Sequence, residues 1–204
     1  SRPSPSVKES PQAMINIDKK PKLFIFGDSF LANIQKRYPL EDIFIVHNFA
    51  SSASSEFRIY QNYLKAQKAH NINNDDPNIR IIIGHTSPTR IYTPAYNVDI
   101  TGLDMVKKGY NDDCADFYID IISIDFWKFV YLNICRELDS ICHYKTVHFH
   151  WYKDTPLYKF KSGNNIHLKQ VEKNYDFDKG YRNLNHMSTS TINKLFPMLL
   201  KGLV

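Results

Sequence analysis

The stretch Leu23-Phe24-Ile25-Phe26-Gly27-Asp28-Ser29-Phe30 decides how this chain is read. An apolar run that ends in a turn residue reads as a strand buried on both faces, as in the middle of a parallel sheet. The polar and apolar mix from Phe30 to Tyr38 suits a helix, which Pro39 stops. Next, Ile43 to Val46 form a second short strand opening into the small polar loop Ala50-Ser51-Ser52-Ala53-Ser54-Ser55. Glu56 to His70 carries Phe57, Tyr60, Tyr63 and Leu64 at helical spacing, and a third strand starts at Ile79 and runs into Pro88. Strands and helices in alternation predict an α/β fold with a mostly parallel sheet and right-handed crossovers.

Further along, Ile121, Ile122, Phe126, Phe129, Val130, Ile134, Leu138 and Ile141 recur at helical spacing, which predicts a long buried helix from Ala115 to about Cys142. Thr146 to Tyr152 reads as a fourth parallel strand. Ser188 to Leu203 reads as a closing helix with Ser and Thr at its start, and Pro197 is expected to kink or break it. Two stretches lack a period, at about 93–113 and 152–182, and read as insertions over the strand ends. The first 13 residues are rich in Ser and Pro and read as a disordered leader or an expression remnant ahead of Met14, leaving one domain over 14–204. They contain no apolar segment of the signal-peptide kind, so no secretory address is expected.

A length of 204 residues fits one domain, and 43% hydrophobic, 14% aromatic and 23% charged residues exclude disordered, collagen-like and disulfide-scaffold classes. No run approaches the roughly 18 apolar residues of a membrane span, so a soluble protein with no membrane partner is expected. The net charge of +5 is spread among acidic residues, and nucleic-acid binding is not indicated. Cys114, Cys135 and Cys142 are odd in number and form no CxxC pair. Cys135 and Cys142 lie seven apart and share a helix face, as buried thiols acting as small hydrophobes would.

Three of the strands end, at the edge where open α/β sheets bind ligands, in a chemically distinctive segment. Gly27 allows a tight turn, and Ser29 then opens a helix whose N-terminus favours developing negative charge. Taken alone, Gly27-Asp28-Ser29 is more often an ordinary turn with a cap. Asn48 to Ala53 follows the second strand, Gly84-His85-Thr86-Ser87 the third, and Asn183-Leu184-Asn185-His186 precedes the last helix.

This order of blocks resembles the SGNH (GDSL-type) hydrolase superfamily over about residues 22–204. The resemblance implies a three-layer α/β/α sandwich of flavodoxin-like kind, and a serine esterase that needs no cofactor and no metal. Ser29 would be the nucleophile and His186 the base. The oxyanion would be held by the N–H groups of Ser29 and Ala53 and by Thr86. Ser52 and Ser87 would be substrate contacts, Arg90 either a substrate clamp at the sheet edge or a solvated, salt-bridging arginine, and Asp28 a structural residue beneath the turn.

The blocks depart from the family in three places. Thr86 replaces an oxyanion asparagine, Ala53 a glycine, and Asn183 the aspartate that orients the histidine. An amide accepts a hydrogen bond but supplies no charge, which leaves three outcomes open: a Ser29–His186 dyad, a carboxylate such as Asp176 or Asp178 reaching the histidine, or a site kept for binding alone.

Thr86-Ser87-Pro88-Thr89-Arg90 resembles, more weakly, SGNH-like proteins of tailed bacteriophages. The implied substrate is a small ester or an acylated glycan. The alternative is an inactive binding or virion component, with other virion proteins or a second copy as partner. His85, His148 and His150 suggest a metal site by spacing, but the alternation in a buried strand reads first as core histidines.

Overall fold

At the centre of the protein lies β1 (Lys22–Phe26), hydrogen-bonded on one side to β2 (Ile45–Asn48) and on the other to β3 (Ile79–His85). The computed structural model describes residues 20–94, 99, 123–150, 158–167 and 189–203. Beyond β3 the sheet continues through β4 (Thr146–His150) to β5 (Asn164–His167), giving the order β2-β1-β3-β4-β5 with every pair parallel. The four core residues of β1 have no exposure because helices cover both faces of the sheet.

Each face has its own core. Leu23, Ile25, Ile82, Val147 and Phe149 pack against Leu31 of α1 (Ser29–Ala32) and against Leu195, Leu199 and Leu203 of α4 (Thr189–Leu203). Phe24, Phe26, Ile81 and Ile83 pack against Ile59 and Tyr63 of α2 (Glu56–His70) and against Tyr131, Cys135 and Leu138 of α3 (Ile124–Ile141). The protein is therefore a three-layer α/β/α sandwich. The order of strands reverses between β1 and β3, where the connections leave in opposite directions; this is the position at which such sheets open a crevice for ligands.

Several local expectations change. The helix expected over Phe30 to Tyr38 ends at Ala32 and gives way to 3₁₀ turns at Ile34–Lys36 and Leu40–Asp42. The Asn48 amide donates to the carbonyls of Leu31 and Ala32, which takes the acceptors a longer helix would use. The second strand starts two residues late because Ile43 and Phe44 still donate to the Leu40 carbonyl. The stretch 152–182 contains β5, a strand where an irregular insertion was expected. Pro197 does not break α4: the Leu195, Leu199 and Leu203 stripe stays buried while Pro197 faces outward. In α3, Phe126 and Phe129 are more than half exposed, so the buried face is narrower than the periodicity implied.

Candidate functional site

The β1 turn is built around a close approach to β3. Gly27 has φ of +154°, and a Cβ there would lie 3.1 Å from the Gly84 carbonyl oxygen, so glycine serves both the conformation and the contact. Asp28 is the N-cap of α1: its carboxylate accepts from the Phe30 N–H, and its carbonyl accepts from Leu31 and Ala32. The buried Asp28 thus has the structural position expected of it. Ser29 follows, half-buried, as the first residue of the helix. Among the described residues neither its N–H nor its hydroxyl makes a hydrogen bond, while the rest of the first turn is satisfied by Asp28.

The second block runs beside this turn, for Ser51 donates to the Gly27 carbonyl at 3.1 Å and extends the β1–β2 ladder by one bond. Ala53 has φ of +55°, the left-handed region that favours glycine, at the position where the resembled family places one. What holds it there is Asp99. The Asp99 N–H donates to the Ala53 carbonyl, and its buried carboxylate accepts from the N–H groups of Ser55 and Thr93 and from both ends of the Arg58 guanidinium, at 2.6 to 2.9 Å. Burial alone would raise the Asp99 pKa, but the Arg58, Thr93 and Ser55 donors outweigh it and hold the carboxyl below its ordinary range. Ser52 is exposed on the same loop. Spacing gave no sign of Asp99, which lies in the stretch read as a surface insertion.

The third block leads inward. Thr86 is fully buried, its N–H donates to Glu56, and its hydroxyl has no partner. Glu56, the first residue of α2, places its other oxygen 2.7 Å from His85 Nδ1, and His85 Nε2 lies 3.0 Å from His148 Nδ1. His150 and His167 continue the stack, each ring about 4.5 Å from the next, and Phe160 lies flat on His148 at 3.7 Å. Burial first, and neighbouring histidines second, push the pKa values of His148 and His150 down, so both rings are neutral. His85, His148 and His150 are buried, while His167 at the sheet edge is half-buried. Spacing did not reveal Glu56, since only the fold brings the start of α2 to the end of β3.

Next to this block is a cavity of about 230 Å³, walled by Phe57, Tyr92, Trp127 and Tyr131, with Ser87 and Arg90 on its lining. The Arg90 guanidinium donates to the Asp99 carbonyl, and its Nε, like the Trp127 indole N–H, is buried without a partner. Ser87 bonds to the Thr89 hydroxyl. Ser29 does not line this cavity. The structure thus brings Ser29, Ala53 and Thr86 to the ends of adjacent strands β1, β2 and β3, and Ser87 and Arg90 to a cavity beside them. His186, Asn183, Asp176, Asp178 and Cys114 lie outside the described residues. No helix among the described residues is long and apolar enough to cross a membrane. Comparison with protein-family models, with curated proteins and with solved structures finds no match.

Proposed function

We propose that the chain is a serine esterase of the SGNH type acting on a small ester or an acylated glycan, with Ser29 as nucleophile and His186 as base. The observation that carries this reading is the turn at the strand-order reversal, where Asp28 satisfies the first turn of α1 and leaves the Ser29 N–H and hydroxyl uncommitted. In the reaction, Ser29 Oγ bonds to the ester carbonyl carbon as its proton passes to His186. The resulting oxyanion takes hydrogen bonds from the N–H groups of Ser29 and Ala53 and from the Thr86 hydroxyl. Collapse expels the alcohol, which takes the proton from His186, and water then releases the acid by the same steps. The left-handed Ala53, on the loop whose Ser51 N–H bonds to the Gly27 carbonyl, supports the assigned backbone donors. Asn183 orients the imidazole without a charge, and an Asp-to-Asn change in a serine triad costs about 10⁴ in rate, so slow turnover is expected.

The test is treatment with a serine-directed organophosphonate, with the adduct located by mass. Labelling at Ser29 that is lost in His186→Ala is expected, and Asn183→Asp should accelerate it by orders of magnitude. Absence of labelling, together with short-chain aryl ester turnover no faster than that of Ser29→Ala, would end the esterase reading. One observation favours a second reading, an inactive binding or virion component: the aromatic cavity with its orphaned Arg90 and Trp127 donors excludes Ser29. That reading predicts ligand binding sensitive to Trp127→Phe but not to Ser29→Ala.

A further inference from the structure

The geometry points to a divalent transition-metal site, zinc by default, held by Glu56, His85 and Cys135 on the face of the sheet covered by α2 and α3. This inference does not depend on the esterase reading. The three side chains come from three elements, the start of α2, the end of β3 and the middle of α3, and all three residues are buried. One carboxylate oxygen of Glu56, one ring nitrogen of His85 and the Cys135 sulfur lie within 4.8 Å of one another, and it is Nδ1 that lies 2.7 Å from Glu56. Ligands about 2.0–2.3 Å from a tetrahedral zinc ion sit about 3.3–3.7 Å apart, so the Glu56–His85 contact must open by about 0.6 Å and the widest pair close by up to about 1 Å. A cation replaces the proton that His85 Nδ1 shares with Glu56.

Three further observations support a metal here rather than a simple hydrogen-bonded core. First, Glu56 has no Lys or Arg partner among the described residues, although it is buried. A carboxylate, a thiolate, a neutral imidazole and a divalent cation sum to zero charge, which removes the cost of a buried charge without a counter-ion. Second, the other nitrogen of His85 lies 3.0 Å from His148 Nδ1, the outer contact that fixes the ring of a metal-bound histidine. Third, the fully buried Tyr131 hydroxyl has Cys135 and Glu56 as its electrostatic neighbours. A water on the fourth metal position would give it an oxygen partner. Glu56 and Tyr131 both line the aromatic cavity, so that position faces a route of entry, and three protein ligands plus an open fourth is the arrangement of a reactive rather than a purely structural zinc site. The mix of thiolate, imidazole and carboxylate favours zinc or cobalt over magnesium or calcium.

The test uses the full chain, stripped with a chelator and titrated with Co²⁺. One equivalent should bind, with thiolate-to-cobalt charge-transfer absorption and the intense visible bands of four-coordinate Co²⁺. Cys135→Ser should abolish the charge-transfer band, Cys142→Ser should keep it, and Glu56→Gln should weaken binding about tenfold or more. Because buried variants can fail to fold, X-ray absorption of the Zn²⁺-loaded wild-type protein gives an independent readout, with one sulfur at about 2.3 Å and nitrogen or oxygen neighbours at about 2.0–2.1 Å. A coordination shell with no sulfur or with two, a charge-transfer band unchanged in Cys135→Ser, or no binding of either metal at micromolar concentration would overturn the site.

Discussion

The two faces of the sheet begin alike and end differently. On the α4 face the central strands carry apolar side chains, with Leu23 and Ile25 in β1, Ile82 in β3, and Val147 and Phe149 in β4. On the α2–α3 face, β3 passes from Ile79, Ile81 and Ile83 to His85, and β4 carries Thr146, His148 and His150. The named side chains on both faces are buried, so the difference is not one of exposure. Each buried imidazole nitrogen without a partner gives up hydration that a phenyl or isobutyl group never had, and several of these nitrogens are orphaned. The α4 face is packed with apolar groups alone, while the opposite face accepts a cost at the C-terminal edge of the strands, the edge that open α/β sheets use for ligands.

The largest effect should come from the apolar face. Phe149→Ala removes a fully buried ring from a packed cluster and should cost about 3–5 kcal/mol, read as a fall in the denaturant midpoint at unchanged slope. On the other face, Glu56→Ala removes few packing atoms but strands the His85 ring nitrogen and the Thr86 N–H, and after the relief of a buried carboxylate the net loss should be about 1–3 kcal/mol. Glu56→Gln keeps an acceptor and should cost distinctly less in metal-free protein. Equal losses for Ala and Gln would mean that volume rather than hydrogen bonding governs this face, and the contrast between the faces would fail.

The third effect is one of pH, and only one face should show it. His148 and His150 have folded-state pKa values pushed below the ordinary 6.5 by burial and then by neighbouring histidines. The unfolded chain therefore binds more protons than the folded one below that pH. The stability these rings contribute is fully present above about 6.5 and declines as pH falls, with a slope approaching about 1.4 kcal/mol per unit for each ring. Between about pH 6.5 and 5.5 nearly all ordinary carboxylates stay ionised, so the slope there reports mainly histidines. His150→Phe should flatten it by about one ring's share, whereas Phe149→Leu should lower stability and leave the slope unchanged. Asp99 acts in a lower window: its depressed pKa adds stability present above about pH 4 and lost as pH falls through the folded value.

The sequence made some of this legible and hid the rest for physical reasons. β1 could be read because four apolar residues before Gly27 admit little but a strand buried on both sides. β5 could not, because Asn164-Asn165-Ile166-His167 has one aliphatic residue and two of the poorer strand formers. It is an edge strand held by its ladder to β4 and by asparagine bonds, Asn164 to the Gly202 carbonyl and Asn165 to the backbone of Phe160. At the site, the positions of Ser29, Ala53 and Thr86 followed from each block standing after its strand. Glu56 and Asp99 did not, because each gains its meaning from a contact tens of residues away that only the folded chain makes.

The smallest effect separates the site loop from an ordinary helix end. Ala53 and Asn71 both have positive φ, at +55° and +48°. Asn71 caps the C-terminus of α2, and asparagine tolerates the left-handed region. Alanine does not: that conformation costs a residue with a plain Cβ about 1–2 kcal/mol, which the Asp99 bond to the Ala53 carbonyl helps to offset. Glycine relieves the strain but loses about 0.4–1 kcal/mol through the greater freedom of the unfolded chain. Ala53→Gly should therefore stabilise the protein by about 0.5–1 kcal/mol, and Asn71→Gly by at most a few tenths. If Ala53→Gly instead destabilised, the methyl group would be making contacts that outweigh its backbone strain, and this loop would be packed as the rest of the core is rather than held under tension by Asp99.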